Sequence, residues 1–318
     1  MIRVIKPEGM GNIQLEEVPI PKFNSRQVLV RTAKTLISRG SELFRRYIVE
    51  EAVSPSIMGY SLTGIVEEIG SEVTEYHVGQ RVMVVAPHAQ YAIGDIDSLV
   101  KSSIMPLTEN ISFEEGTFIE PLGCTVRGQR RICLQPGDSV LVLGSGLAGL
   151  LNIRLARALG AGCIVSTDLH PFRLQAAIDS GARAGVNAGS QNVIEEAVSV
   201  NDGCFFNHVI ICTAASDAFG QAMNAVAPGG TVLLYAFSEP GNDVSLDLHE
   251  YFRKGITLRS TYGASPLDLS EALRLLRFGR VAVKDLITHR MPLADTGKGF
   301  WFAASGAESL KVIIQPGR

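Results

Sequence analysis

Apolar and polar positions alternate in short runs over the first 110 residues: "QVLVRTAKTLIS", "TGIVEEIG", "QRVMVVA" and "YAIG" are separated by Gly, Pro and Asn. A period of two puts successive side chains on opposite faces, so the runs predict strands of an antiparallel β unit, perhaps closing as a small barrel, with little helix. From about residue 123 the texture changes. "SVLVLG" reads as a buried strand, "LAGLLNIRLARALGA" as a helix with Arg154 and Arg157 on its wet side, and "CIVSTD" as the next strand. "PFRLQAAIDSG" opens on proline and stops at glycine, as helices do, and "NHVIICTA", "SDAFGQAMNAVAPGG" and "TVLLYAFS" continue the alternation. Strand and helix in turn predict βαβ units, hence an α/β fold with a doubly wound parallel sheet. The last pieces, "PLDLSEALRLLRFG", "LITHRMP", "GKGFWFAAS" and "SLKVIIQP", are too few for a third core and are expected to pack back on the β-rich front or to bridge the two domains.

Composition adds bounds. With 318 residues, 46% of them hydrophobic and 19% charged, the chain can fill two cores of ordinary size. A net charge of -3 leaves no basic footprint for nucleic acid, so a small-molecule partner is expected. "MIRVIKPEG" lacks the layout of a secretory signal, and the longest apolar stretch, "VLVLGSGLAGLLNI", is broken by glycines well short of a membrane span. The expected setting is the cytoplasm. Cys124, Cys133, Cys163, Cys204 and Cys212 show no ligand-pair spacing and are read as buried reduced thiols.

One motif carries chemistry. Gly144, Gly146 and Gly149 fall in a G-x-G-x-x-G spacing between a predicted strand and a predicted helix. In that pattern the first glycine makes the turn, the second admits a pyrophosphate to the backbone, and the third lets helix pack on strand. The residues between, Ser145, Leu147 and Ala148, lead into a helix N-terminus whose amides and dipole favour phosphate. Asp168 ends the second strand, where a carboxylate binds ribose hydroxyls and repels the extra phosphate of NADP, so NAD(H) is favoured over NADP(H). Arg173 could blunt that preference or simply be a solvated helix charge. Thr213 and Phe237 complete the expected cofactor-binding set.

"GYSLTGIVEEIGSEVTEYHVGQRV", "ENISFEEGTFIEPLG", "LQPGDSVLVLGSGLAGL", "APGGTVLLYAF", "YGASPLDLSEALRLLRFGRV" and "LITHRMPL" together resemble the medium-chain dehydrogenase/reductase family, the zinc alcohol, polyol and threonine dehydrogenases, over essentially the whole chain. The resemblance implies a GroES-like catalytic domain from residues 1–122 and 263–318, a Rossmann domain from 123–262, and a cleft holding nicotinamide against substrate. It also implies a homodimer or homotetramer joined through Rossmann sheet edges. The segment from Phe44 to Ser56, without strong periodicity, is expected to shape the cleft.

The resemblance fails at the metal. Where the family has a zinc-binding cysteine this chain has Arg39, and where it has histidine and glutamate in G-H-E it has Tyr60 and Ser61; Glu120 in "IEPLG" alone survives. The four-cysteine structural lobe is also missing, because "MVVAPHAQYA" runs directly onward. A guanidinium does not ligate metal, so neither catalytic nor structural zinc is expected. A site rebuilt from His88 or Cys124 is the weaker reading. The adjacent acids Glu50-Glu51, Glu67-Glu68 and Glu114-Glu115 diverge on strand or helix and read as solvated charges rather than dyads.

Without zinc, side chains must manage the charge on the reacting oxygen. Tyr60 is expected to give a hydrogen bond or proton to the carbonyl oxygen, Arg39 to supply positive charge, Ser41 to match the family's relay hydroxyl, and Glu120 to bind substrate hydroxyls or an amine. Against these stand plainer roles: Tyr60 filling the metal's space, and Arg39 paired with Glu120 or Glu42. The leading expectation is a zinc-independent NAD(H)-dependent oxidoreductase interconverting a secondary alcohol and a ketone on a sugar, cyclitol or aminocyclitol. Reduction of an enone or quinone, oxidation of a hydroxyethyl-tetrapyrrole, and NAD(H) binding without turnover stay open beside it.

Overall fold

The computed structural model describes residues 1–47, 56–98, 103–236, 243–306 and 308–317. They form two units, Met1–Glu120 with Ser265–Arg318, and Pro121–Ala264.

In the first unit, β1 (Ile2–Lys6) pairs with β2 (Gln14–Glu17) and β4 (Ser56–Ile57) in a small antiparallel sheet. The larger sheet is built around β3 (Gln27–Leu36), with β5 (Ser61–Ile69), β6 (Arg81–Val84), β7 (Tyr91–Asp95) and β8 (Ile104–Pro106). Register shifts after Leu29 and Thr32 bend β3, which lets its first half pair with β7 and its whole length with β5. Alternation turns Val28, Val30, Leu62, Val66, Val82 and Val84 into one core, each worth about 1.5–3 kcal/mol of apolar burial. β6 ends at Val84 and β7 begins at Tyr91, so only residues 85–90 connect them. Arg39–Tyr47 winds as a π-helix, a rare form frequent at functional sites. The short α1 (Phe113–Gly116) starts at a capping box between Ser112 and Glu115.

The second unit begins within α2 (Ile119–Ile132) and alternates β9 (Ser139–Leu143), α3 (Leu147–Ala158), β10 (Cys163–Asp168), α4 (Pro171–Asp179), β11 (Ala184–Asn187), α5 (Val193–Val200), β12 (Phe206–Ile211), α6 (Ala218–Ala225), β13 (Val226–Leu234), α7 (Leu248–Lys254) and β14 (Thr257–Ser260). The six strands are parallel, in the order β11-β10-β9-β12-β13-β14. That is the doubly wound order whose switch point lies beside the first strand. Every residue of β9 is buried, as expected of a strand covered on both faces. Leu141, Val165, Phe206, Val209 and Val232 share its core.

The C-terminal pieces, α8 (Pro266–Arg277), β15 (Ile287–Pro292), α9 (Thr296–Ser305) and β16 (Lys311–Gln315), belong to the first unit. β16 pairs antiparallel with the end of β3 and parallel with β15, while Phe300 of α9 enters a core with Val4, Ile37, Met58 and Ile314.

Two sequence expectations change here. Arg154 does not face water; it is buried, and its Nε donates to Ser180 Oγ at 2.9 Å, because α3 is covered on that side by the turn after α4. The cysteines are not all buried: Cys133 and Cys204 are exposed, and all five are free. No helix among the described residues is long and apolar enough to cross a membrane.

Candidate functional site

The glycine-rich turn of the second unit separates three glycines with different surroundings. Gly144 turns the chain out of β9 with φ +98°, a left-handed value that favours glycine. Gly146 caps α3 without any side-chain hydrogen bond, and a Cβ placed on it would meet nothing within 4 Å. The first amides of α3 therefore have no capping side chain there, beside open space. Gly149 is the reverse case, since a Cβ there would lie 1.9 Å from the Gly144 carbonyl oxygen.

Asp168 stands at the C-terminal end of β10 and is tied to this turn. Its Oδ2 accepts the Ser145 amide at 3.0 Å and its Oδ1 the His170 amide at 3.0 Å. Ser145 is locked underneath, its Oγ 2.8 Å from Ser166 Oγ and 3.1 Å from the Thr167 carbonyl oxygen. Arg173 is not a solvated helix charge: it is buried, with Nη1 3.8 Å from Asp168 Oδ1. Thr213 follows β12, within 3.1 Å of the position a Gly144 Cβ would take, so it lines the same turn. Leu147 and Ala148 open α3. Phe237 lies outside the described residues.

In the first unit, Tyr60 is placed by its neighbours. Gly59 has φ +128° and packs so tightly that a Cβ would meet the His88 nitrogen at 2.1 Å and the Pro87 carbonyl carbon at 2.4 Å. Ser61 is wholly buried and its Oγ donates to the Thr117 carbonyl oxygen at 2.9 Å. Arg39 and Ser41, both partly buried, stand at the start of the π-helix, and Glu120 at the start of α2 is buried. Of the segment from Phe44 to Ser56, residues 48–55 lie outside the described residues, as do Glu50 and Glu51.

Sequence reasoning missed Lys311 and the partner of His88. Lys311, at the start of β16, is buried, and burial pulls its ammonium down to about 8 against the opposing fields of Glu42 and Glu120. Glu42, Glu120 and Lys311 are all buried in the first unit. His88, weighed from sequence only for a rebuilt metal site, is completely buried, with Nδ1 2.7 Å from Thr35 Oγ1 and Nε2 3.0 Å from Glu42 Oε1. Glu42 Oε2 accepts the Ser38 amide at 2.7 Å, while Oε1, without a hydrogen-bond partner, faces His88. Only an isolated lysine in "SLKVIIQP" hinted at this cluster, and nothing local marks a lysine as buried. Among the described residues no three His, Cys, Asp or Glu side chains converge as a metal-holding group. The acids at 114 and 115 are surface structure: Glu114 makes a bidentate pair with Arg290, whose guanidinium holds its carboxyl below the usual range, and Glu115 closes the capping box.

Family models and relatives agree with this architecture. Residues 24–120 match the alcohol dehydrogenase GroES-like domain and residues 148–277 the zinc-binding dehydrogenase model. Sorbitol dehydrogenase 1 of Saccharomyces cerevisiae is 29% identical, with 96% of each chain covered. L-threonine 3-dehydrogenase of Rhizobium etli is 25% identical, covering 99% of this chain and 98% of that one. Among solved structures, an alcohol dehydrogenase from Thermus sp. ATN1 superposes with a TM-score of 0.88 at 24% identity, over 99% of both chains. The 2R,3R-butanediol dehydrogenase of Bacillus subtilis gives 0.87 at 21% identity over 100% of both, a likeness of fold. With a GroES-like unit, a six-stranded Rossmann sheet and its glycine turn all in place, the chain belongs to the medium-chain dehydrogenase/reductase family of oxidoreductases.

Proposed function

We propose that the protein is a zinc-independent, NAD(H)-dependent oxidoreductase that interconverts a secondary alcohol and a ketone on a polar substrate such as a sugar, cyclitol or aminocyclitol. Sorbitol, threonine and butanediol, the compounds in the relatives' names, all carry secondary hydroxyls.

The observation that carries zinc independence is the state of the donors. Arg39, Tyr60 and Ser61 stand at the positions of the family's ligands; the Ser61 hydroxyl is spent on the Thr117 carbonyl, the nitrogens of His88 face Thr35 and Glu42, and Glu120 alone keeps the family's ligand type. A catalytic zinc needs three free N, O or S donors from the protein and leaves its fourth position to water or substrate. This set does not fit one.

The dinucleotide, by contrast, fits the cradle. The amides at the start of α3 and the space at Gly146 suit a pyrophosphate, and Asp168 suits a ribose diol. When bound, the nicotinamide ring supplies hydride acceptance and donation. The remaining work falls to side chains. Tyr60 holds and gives a proton at the substrate oxygen, Arg39 offsets the charge that builds there, Ser41 links that oxygen to solvent, and Glu120, held in the field of Lys311, accepts hydrogen bonds from substrate hydroxyls.

The test is elemental mass spectrometry on protein purified without chelator, joined to NADH-dependent reduction of a panel of polyhydroxy ketones. Near-zero zinc with ketone reduction is the expected result. One zinc per chain, or activity abolished by chelation, would overturn zinc independence. Reduction of enones or quinones in place of ketones would reassign the reaction, and NADH binding with no turnover on any of them would leave a nucleotide-binding protein.

A further inference from the structure

The proposed chemistry leaves one buried chain of polar groups unused. Thr35, His88 and Glu42 are 0%, 0% and 1% exposed, and they come from three separate parts of the first unit: the end of β3, the 85–90 connection and the π-helix.

Their protons can be counted. Thr35 has a single hydroxyl proton, and its Oγ1 lies 2.9 Å from the Ser61 carbonyl oxygen, which can only accept. The same Oγ1 lies 2.7 Å from His88 Nδ1. Both contacts are hydrogen bonds only if Thr35 donates to Ser61 and Nδ1–H donates to Thr35. On the opposite side of the ring, Nε2 is 3.0 Å from Glu42 Oε1, while Glu42 Oε2 accepts the Ser38 amide. A neutral imidazole with its hydrogen on Nδ1 would aim a lone pair at a carboxylate oxygen 3.0 Å away, too close for water to stand between them. Such a buried acceptor pair costs of order 1–3 kcal/mol or more. Neither atom has a hydrogen-bond partner, and a proton on Nε2 turns their close contact into an ion pair. The Phe300 ring packs on another side of His88 in a T-shaped contact, the ring centroids 5.9 Å apart.

We propose that His88 is an imidazolium paired with the Glu42 carboxylate, and that this buried pair is a positioning device: it ties the first turn of the π-helix, which carries Arg39 and Ser41, to β3 and to the 85–90 turn. Glu42 closes that turn twice, through its own amide to the Ser38 carbonyl oxygen at 3.0 Å and through its carboxylate to the Ser38 amide. Only the statement that Arg39 and Ser41 face substrate rests on the proposed function. The proton count and the order of the segment are read without turnover, so the two fail separately.

The experiment is side-chain nitrogen NMR of His88 at neutral pH, together with amide hydrogen exchange at residues 38–43, on the full chain. In the wild type both ring nitrogens carry protons. Glu42→Gln is the informative variant, because its amide can donate to a neutral Nε2 while its oxygen still accepts from Ser38. It is expected to leave a proton on Nδ1 alone and to keep exchange at residues 38–43 within about threefold of wild type. Glu42→Leu and His88→Phe are expected to speed that exchange at least tenfold. A bare ring nitrogen in the wild type would overturn the imidazolium, and unchanged exchange in Glu42→Leu would overturn the positioning role. Should Glu42→Leu fail to fold, the wild type and Glu42→Gln spectra still decide the proton count, and exchange in His88→Phe decides the segment.

Discussion

A Cβ on Gly149 would lie 1.9 Å from the carbonyl oxygen of Gly144. The third glycine of the turn is therefore required by helix against strand, whereas the second, Gly146, faces open space. Equal letters in the motif thus do unequal work. Gly149→Ala is expected to cost about 1–3 kcal/mol of stability through overpacking, and to lose NADH binding with it. Gly146→Ala should keep the wild-type melting temperature yet weaken NADH at least tenfold, since its methyl takes the room a phosphate needs. Thermal melts and NADH fluorescence titrations of the two variants check this; a Gly146→Ala protein that binds NADH normally would remove the phosphate from that turn.

Under the proposed NAD(H) dependence Asp168 sets the cofactor choice, and its carboxylate is already fixed by the Ser145 and His170 amides. A second phosphate would have to sit against that fixed negative charge. In Asp168→Ser the repulsion goes, and Arg173, now 3.8 Å from the carboxylate, is released to meet a phosphate. The ratio of NADH to NADPH affinity is expected to fall at least tenfold. Equal binding of the two by the wild type would show that Arg173 already governs the choice.

The fold was legible because its signals are local. Strand periodicity, proline at the start of α4 and glycine after it, and the glycine spacing after β9 each act within a few residues. The geometry of the glycine turn was legible for the same reason. The buried cluster was not, because Thr35, Glu42, His88, Glu120 and Lys311 are far apart in sequence and meet only through the pairing of β3 with β16 and the return of residues 85–90. Arg154 was misread on similar grounds. Periodicity marks the face of a helix, but it does not say that Ser180, from the next turn, will cover a guanidinium there.

Lys311 sets a pH signature. Burial lowers it from 10.5 to about 8 in the folded chain, while the unfolded chain keeps the ordinary value. Between those two values the unfolded state binds the extra proton, so stability rises with pH across the window. Below about pH 8 the ammonium is charged in both states, and the cost of burying it is fully present. Wild type is therefore expected to gain stability relative to Lys311→Met as pH is raised from 8 to 10.5. Urea melts of both proteins at several pH values provide the comparison; a difference that stays flat would mean that Lys311 keeps its ordinary affinity for protons.

Tyr60 offers the sharpest separation of chemistry from scaffolding. Its backbone is fixed on one side by Gly59, pressed against Pro87 and His88, and on the other by Ser61, bonded to the Thr117 carbonyl and accepting from Thr35. None of these anchors uses the phenol oxygen. Tyr60→Phe should then keep the ring in place and cost no more than about 1 kcal/mol for a lost hydrogen bond. A proton donor at the reacting oxygen contributes roughly 100- to 10,000-fold to rate. Tyr60→Phe is expected to fold, to bind NADH as the wild type does, and to lose at least 100-fold in ketone reduction. If turnover survives instead, the ring only fills the space beside Gly59, and the proton at the substrate oxygen must come from elsewhere.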